Sequence, residues 1–181
     1  MPAPLIWLGA AALGIYASNE LNTAYLKRKG IIKAMPGDKA STSVDTSVAP
    51  ENGSIVCCAI YGMLDHTGIW RDGRIYELNG DGLIRSISPN RFLNNRTGET
   101  IYVACGNKGT ALSDIQGARR AANNLYQIRD YHLLKDNCHR FIAEMLTGQD
   151  QNVMSFSDLN QFLFTHFQQT ISWHPANIRV W

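Results

Sequence analysis

The sequence predicts an α+β domain, in which β-strands come first and helices follow. Its 181 residues suit about one domain at roughly 150 residues per domain. Between residues 54 and 104, short β-branched and apolar runs are bounded by turn signals, as is typical of strands. From residue 113 onward, apolar residues recur at the spacing of helices. Strands grouped ahead of helices indicate the α+β class.

Five segments have the composition of β-strands, and the second and third form a hairpin. Asp72 and Gly73 lie between these two and are a strong signal for a two-residue loop. With that loop, Arg71 pairs with Arg74, and alternate side chains share a face. The residues on the shared face are His66, Gly68, Ile75, Glu77 and Asn79. The predicted strands are Ser54–Tyr61, His66–Trp70, Arg74–Leu78, Leu83–Ile87 and Thr100–Ala104.

Three helices are predicted after the strands. The first begins with a capping box formed by Ser113 and Gln116. The second begins after Asn137, a favourable N-cap, and ends at Gly148, a favourable C-cap. The third spans Ser157–Thr170 and has apolar residues at helical spacing.

The first 53 residues are predicted to lie outside the globular domain, which spans residues 54–181. Residues 34–53 are rich in Ser, Thr, Asp, Pro and Gly and predict a linker. Residues 1–33 contain the apolar run Leu5–Ala17 and a basic flank. The run is shorter than the roughly 20 residues of a bilayer span, and no Lys or Arg precedes it as in a secretory signal.

The apolar run has two interpretations. It is either a membrane anchor or membrane-surface helix, which we favour, or an ordinary helix buried against the domain. Basic residues after such a run keep the following chain on the cytoplasmic side. Those residues are Lys27, Arg28, Lys29 and Lys33. We therefore expect a membrane-associated protein whose catalytic domain is cytoplasmic.

Charge and cysteine spacing argue against several functional classes. A net charge of +2 gives no reason to expect a nucleic-acid partner. The cysteines Cys57, Cys58, Cys105 and Cys138 form no CxxC pair and no zinc spacing, so we expect reduced thiols. His132 and His139 flank Cys138, but His139 is expected to lie a helical step away, which disfavours a metal site. We predict no metal and no cofactor, and no feature of the sequence indicates an oligomeric state.

Cys138 is the candidate nucleophile. It lies in the first turn predicted after Asn137, where free N–H groups and the helix dipole stabilise a thiolate. Cys138 also falls on the apolar face of this helix, and buried cysteines are common core residues. Taken alone, the helix supports the catalytic and the structural interpretation equally.

His66 is the candidate base for this thiol, and Glu77 is the candidate group that orients it. Glu77 is the diagonal neighbour of His66 across the hairpin, within roughly 7–8 Å. A carboxylate there accepts the proton of one imidazole nitrogen and so fixes the tautomer. Asn79, directly opposite His66, is the rival, and Asp65 points to the other face. A lone histidine in a strand is more often incidental, and the carboxylate on the same face argues against that interpretation.

The segment Tyr131–Phe141 resembles the nucleophile motif of lecithin:retinol acyltransferase-like (LRAT-like) proteins. The family motif has Tyr-x-Leu, then Asn-Cys, then Phe three residues after the Cys. The matching residues are Tyr131, Leu133, Asn137, Cys138 and Phe141. The hairpin that begins with His66–Trp70 resembles the family's histidine strand, and Pro50–Val56 resembles its strand entry. The resemblance spans about Pro50 to Gly148.

This resemblance implies a circularly permuted papain-like fold, with an antiparallel sheet packed against helices and the nucleophile at a helix N-terminus. It implies that Cys138 is the nucleophile and His66 the base, and that an acyl group passes through a cysteine thioester. Animal members usually have a second histidine in the third catalytic position, where this sequence has Glu77. Tyr131 is a candidate donor to the oxyanion, beside the Cys138 N–H.

The expected function is that of a thiol acyltransferase or hydrolase that acts on a lipid acyl ester, as an acyltransferase or a phospholipase does. A cysteine peptidase or amidase of the cell-wall type on the same fold is one alternative. A catalytically inactive binding module that kept the fold is another. A cytoplasmic, membrane-tethered domain favours the lipid substrate over the cell wall.

Overall fold

The computed structural model describes residues 20–38, 47–60, 64–94, 96, 98–133 and 135–178. The apolar run Leu5–Ala17 and the predicted strand end at Tyr61 lie outside the described residues. Within these ranges, no helix is long and apolar enough to cross a membrane.

A seven-stranded sheet forms the centre of the described chain, in the order β1-β7-β6-β2-β3-β4-β5. Only the pairing of β1 with β7 is parallel; the other neighbours in this sheet are antiparallel. The strands are β1 (Ile32–Ala34), β2 (Ile55–Ile60), β3 (Leu64–Arg71), β4 (Arg74–Leu78), β5 (Ile84–Ile87), β6 (Tyr102–Cys105) and β7 (Ile171–Pro175). The α+β class with a mainly antiparallel sheet is therefore confirmed.

Five helices accompany the sheet in the part of the chain that the structure describes. They are α1 (residues 20–28), α2 (Pro89–Leu93), α3 (Ile115–Asn123), α4 (Cys138–Thr147) and α5 (Phe156–Phe167). Helix α4 contacts β3, β4, α3 and α5, and α2 contacts β4. Helix α4 is thus packed against the hairpin that carries His66.

Two hydrophobic clusters fill the core. The larger one includes Cys57 of β2 and Phe141 of α4. The smaller one includes Cys58 of β2 and Phe92 of α2. The adjacent residues Cys57 and Cys58 thus divide between the clusters, as the alternation of a strand predicts. Both are fully buried.

The hairpin has the predicted register, with Arg71 paired to Arg74 and Trp70 to Ile75. Asp72 and Gly73 have φ values of 51° and 75°. Positive φ at both loop residues is the geometry that a two-residue hairpin loop favours, because its twist matches that of the strands. The loop therefore fixes which side chains of β3 and β4 share a face.

The helix ends agree with the predictions in part. Asn137 and Gly148 cap α4 as predicted. The capping box at Ser113 is wrong by one residue, because the Asp114 side chain accepts the hydrogen bond from the Gly117 N–H. Helix α5 begins after Ser155, which forms a capping box with Asp158, and ends one residue before Gln168. The predicted helix Ser157–Thr170 was therefore displaced toward the C-terminus.

Four elements were missed, namely α1, β1, α2 and β7. Strand β1 pairs with β7 and Val48 bridges to Ala176, so part of the predicted anchor segment and linker joins the domain's sheet. Leu26 of α1 is also buried in the larger cluster. Strand β1 is three residues long and carries no periodic pattern, and its position depends on residues 171–175 at the other end of the chain.

Candidate active site

Asn137 fixes the N-terminus of α4. Its Oδ1 accepts hydrogen bonds from the backbone N–H groups of His139 and Arg140, at 3.0 and 3.2 Å. Its Nδ2 donates to the carbonyl oxygens of Leu133 and Met154, at 2.8 and 2.7 Å. One side chain thus caps the helix and joins it to two loops. Cys138, the next residue, is held firmly in place.

Cys138 is the first residue of α4 and is 3% exposed. Burial alone would raise the pKa of its thiol, but the charges of His139 and His66 and their hydrogen bonds lower the pKa well below its ordinary value. The free N–H groups at the helix start act in the same direction. The arrangement stabilises a thiolate, which is the reactive form of cysteine.

His66 and Glu77 form a buried pair beside this thiol. The Nε2 atom of His66 lies 2.6 Å from Oε2 of Glu77. Burial alone would lower the pKa of His66, but the charges and hydrogen bonds of Cys138 and Glu77 raise it. Since Glu77 engages Nε2, Nδ1 is the ring nitrogen left for Cys138. The structure therefore brings together the three residues that the sequence predicted.

Glu77 is ionised and held by two arginines. Arg85 Nε donates to Oε1 at 2.7 Å, and Arg96 Nη2 donates to Oε2 at 3.1 Å. Burial would raise the pKa of this carboxyl, but His66 and the arginines lower it to about 2. Asn79 instead donates to Asp81 Oδ2 at 3.0 Å. Glu77 is thus the group in contact with His66, and the rival Asn79 is engaged elsewhere.

Arg85 and Arg96 were missed by the sequence analysis. Arg85 lies opposite Glu77 in the β4–β5 register, so pairing the strands around the Asp81-Gly82 turn would have found it. Arg96 also donates to the Phe92 carbonyl and lies over the Phe92 ring, 4.8 Å from the centroid. It follows α2 and reaches the site only through the fold, and no local pattern identifies it.

Tyr131 lies against Cys138. Its phenol is within hydrogen-bond reach of both the side chain and the backbone N–H of Cys138. Burial raises the pKa of Tyr131, and the neighbouring thiolate raises it further. The phenol of Tyr131, the candidate second donor to an oxyanion, therefore lies beside the Cys138 N–H.

His139 also reaches the thiol, contrary to our expectation that it lies away from Cys138. Its Nδ1 is 3.9 Å from Cys138 Sγ and 3.3 Å from Thr67 Oγ1. The backbone oxygen of Asp65 is 4.0 Å from the same sulfur. Burial, more than any other cause, raises the pKa of the Asp65 carboxyl to about 6. The sequence offered one weak indication of this contact, because His139 directly follows the candidate nucleophile Cys138.

The other three thiols differ from Cys138 in their electrostatics. Burial raises the pKa of Cys57, and it raises the pKa values of Cys58 and Cys105 to about 12. All four cysteines are free. Among the described residues, no group of three or more His, Cys, Asp or Glu side chains is arranged to hold a metal ion.

No protein-family model, no curated protein and no solved structure matches this chain. The assignment of a chemical class therefore depends on the geometry of the site itself. A buried thiol beside an imidazole, with a carboxylate on the far nitrogen of the ring, is an arrangement that can carry nucleophilic thiol chemistry.

Proposed function

We propose that this chain is a cysteine-dependent acyltransferase or hydrolase that works through an acyl-cysteine thioester. The observation that carries the proposal is the placement of Cys138 at a helix N-terminus beside the His66–Glu77 pair, with 2.6 Å between His66 Nε2 and Glu77 Oε2. Cys138, His66 and Glu77 would then be the nucleophile, the base and the orienting group of covalent catalysis.

The reaction would begin with Cys138 as a thiolate and its proton on His66. The Cys138 sulfur would attack the carbonyl carbon of an acyl ester, and the Cys138 N–H and the Tyr131 hydroxyl would stabilise the oxyanion. Collapse would break the carbon–oxygen bond to the leaving alcohol, which takes its proton from His66. In the second half, His66 would deprotonate an acceptor hydroxyl or water, whose oxygen attacks the thioester and releases the Cys138 sulfur.

The fold we propose for this chemistry is a circularly permuted papain-like fold. Support comes from the chain order, in which the His66 and Glu77 strands precede the Cys138 helix, and from the packing of α4 on β3. The motif around Asn137 and Cys138 that resembles LRAT-like proteins agrees with the same proposal.

The proposed substrate is a lipid acyl ester, and the proposed location is a membrane surface facing the cytoplasm. Support comes from α1, whose apolar residues Leu21 and Tyr25 are 72% and 54% exposed. The exposed cations Arg28, Lys29 and Lys33 follow in sequence. Apolar and cationic side chains together are what an anionic lipid surface binds. The apolar run Leu5–Ala17 directly precedes this region in sequence.

The test is covalent capture of the acyl group. The protein is incubated with a phospholipid that carries a labelled acyl chain, and the modified peptide is identified by mass spectrometry. We expect the added acyl mass on Cys138, in a bond that neutral hydroxylamine cleaves. A peptide amide offered in parallel should be turned over much more slowly. The reverse preference would favour the peptidase alternative.

Cys138→Ala is the variant for this test, and Cys105→Ala is its matched control. Cys138→Ala should lose labelling and turnover while it keeps the fold, because Cys to Ala removes only one sulfur atom from a packed face. Cys105→Ala should retain both activities. Full labelling of the Cys138→Ala protein would refute the assignment of the nucleophile.

A further inference from the structure

Cys138 has an imidazole group on each of two sides, and the mechanism above uses only one of them. His66 approaches from β3, and His139 approaches from α4 with its Nδ1 3.9 Å from Cys138 Sγ. His139 is 7% exposed, and its ring packs against Phe156 with 5.7 Å between centroids. The ring is therefore largely shielded from solvent on the side of the thiol.

The second imidazole has a second partner. Thr67 Oγ1 lies 3.3 Å from the same Nδ1 atom of His139, and Thr67 is fully buried. Thr67 follows His66 directly, and consecutive strand residues point to opposite faces. Strand β3 therefore presents the imidazole of His66 on one face. On its other face it presents the hydroxyl of Thr67, which contacts the imidazole of His139. An N–H at Nδ1 can be donated to either the sulfur or this hydroxyl oxygen.

Several titratable groups face Cys138 from the surrounding elements. His66 and Asp65 belong to β3, and Cys57 belongs to β2. His139 belongs to α4, and Tyr131 lies in the loop before α4. Among the influences that lower the Cys138 pKa against the effect of burial, the charge of His139 is the largest, and that of His66 follows. The electrostatics thus agree with the distances in giving His139 a role at the sulfur.

We propose that His139 is a positioning residue, whose Nδ1–H bonds the Cys138 thiolate in the free protein and the Thr67 hydroxyl once the sulfur is acylated. This inference rests on the proposed thioester chemistry. A thiolate is a strong, charged acceptor, whereas a thioester sulfur carries no charge and accepts weakly. The proton stays on Nδ1 throughout, so proton transfer remains with His66. Thr67 keeps a buried N–H from losing its partner when the thiolate disappears.

The first arm of the test measures the thiolate directly. The ultraviolet absorption of the thiolate is followed against pH for each protein, and the signal of the same protein with Cys138→Ala is subtracted. His139→Gln should raise the titration midpoint by about one pH unit or more, which is about a tenfold loss of thiolate below the midpoint. The control is His166→Gln, which changes a histidine of α5 whose ring contacts Asp114. It should leave the midpoint unchanged. An unchanged midpoint in His139→Gln would overturn the proposal.

The second arm separates the two partners of His139. Thr67→Val should not raise the midpoint, because the bond to the thiolate remains. It should lower the amount of acyl-enzyme that accumulates, since the Nδ1–H then has no partner in the thioester state. Equal acyl-enzyme levels in Thr67→Val and wild type would remove Thr67 from the proposal.

The thiolate titration needs no substrate, so its result is independent of the proposed function. If no acyl donor labels Cys138, the proposed function fails, and the midpoint of His139→Gln still decides whether His139 acts on the thiolate. Circular dichroism reports whether each variant folds. His139→Asn is a second variant whose amide can place an N–H donor near the position of Nδ1, so its midpoint should rise less than that of His139→Gln.

Discussion

The carboxylate of Glu77 reaches His66 across the β3–β4 hairpin, and its Oε2 lies 2.6 Å from His66 Nε2. The same oxygen accepts a hydrogen bond from Arg96 at 3.1 Å, and the other carboxylate oxygen accepts from Arg85. The two arginines therefore stabilise the charge of the Glu77 carboxylate and fix its orientation toward His66. A neutral amide at position 77 would keep the shape but lose these ionic contacts.

Replacing Glu77 should weaken the activity without abolishing it. Glu77→Gln removes the charge that favours the His66 imidazolium, and groups that orient a base matter less than the nucleophile. We expect a loss of kcat/KM on the order of 10–1,000-fold. The part of the pH–rate profile that reports the titration of His66 should also shift, because the pKa of His66 changes. Asn79→Ala, whose side chain contacts Asp81, is the matched control. A larger loss in Asn79→Ala than in Glu77→Gln would contradict the assignment.

Glu77 should also make the fold sensitive to acid. The folded-state pKa of Glu77 is about 2, below the roughly 4.3 of an unperturbed glutamate. Its contribution to stability is therefore complete above about pH 4.3 and is lost as the pH falls toward 2. Denaturant midpoints measured across this window should decline in wild type. In Glu77→Gln the decline should be shallower, and parallel curves would contradict the prediction.

Gly68 should not tolerate a side chain. A Cβ at this position would overlap Ile75 Cγ2 and lie 3.0 Å from the Tyr76 carbonyl oxygen. Overpacking of this kind costs about 1–3 kcal/mol. Gly68→Ala should therefore lower the free energy of unfolding by that amount in a denaturant titration. Gly80→Ala is the control, because a Cβ there meets nothing within 4 Å, and the two variants should differ clearly.

The N-terminal segment should decide whether the protein binds membranes. We expect the 181-residue chain to sediment with vesicles that contain anionic lipid, and a chain lacking residues 1–19 to bind them much less. The truncation must spare α1 and β1, because Leu26 and Ile32 are buried in the core. If the 181-residue chain stays in the supernatant at both low and high salt, the interpretation of the apolar run as a helix of the domain is favoured instead.

The local parts of the site could be predicted because short-range rules determine them. The two-residue loop at Asp72 and Gly73 fixes the hairpin register, and alternation then places Glu77 on the face of His66. Asn137 and Gly148 mark both ends of α4 by their capping chemistry. These rules need no knowledge of the rest of the fold.

The remaining parts depend on contacts between distant segments. Arg96 reaches Glu77 only because α2 packs on the sheet. Whether His139 faces the thiol depends on how α4 is rotated against Thr67 of β3, which the helix sequence alone does not fix. Strand β1 is similarly defined by its pairing with β7, more than a hundred residues away.

The position of β7 has a consequence for how the chain is assembled on the ribosome. Strand β7 lies between β1 and β6, so β1, the first of the described strands to emerge, has no neighbour in the sheet until β7, the last of them, is synthesised. The hairpin of β3 and β4 and the helix α4 emerge before that final insertion. Premature termination before residue 171 would therefore leave the N-terminal segment without its link to the sheet, even though Cys138, His66 and Glu77 had all been translated.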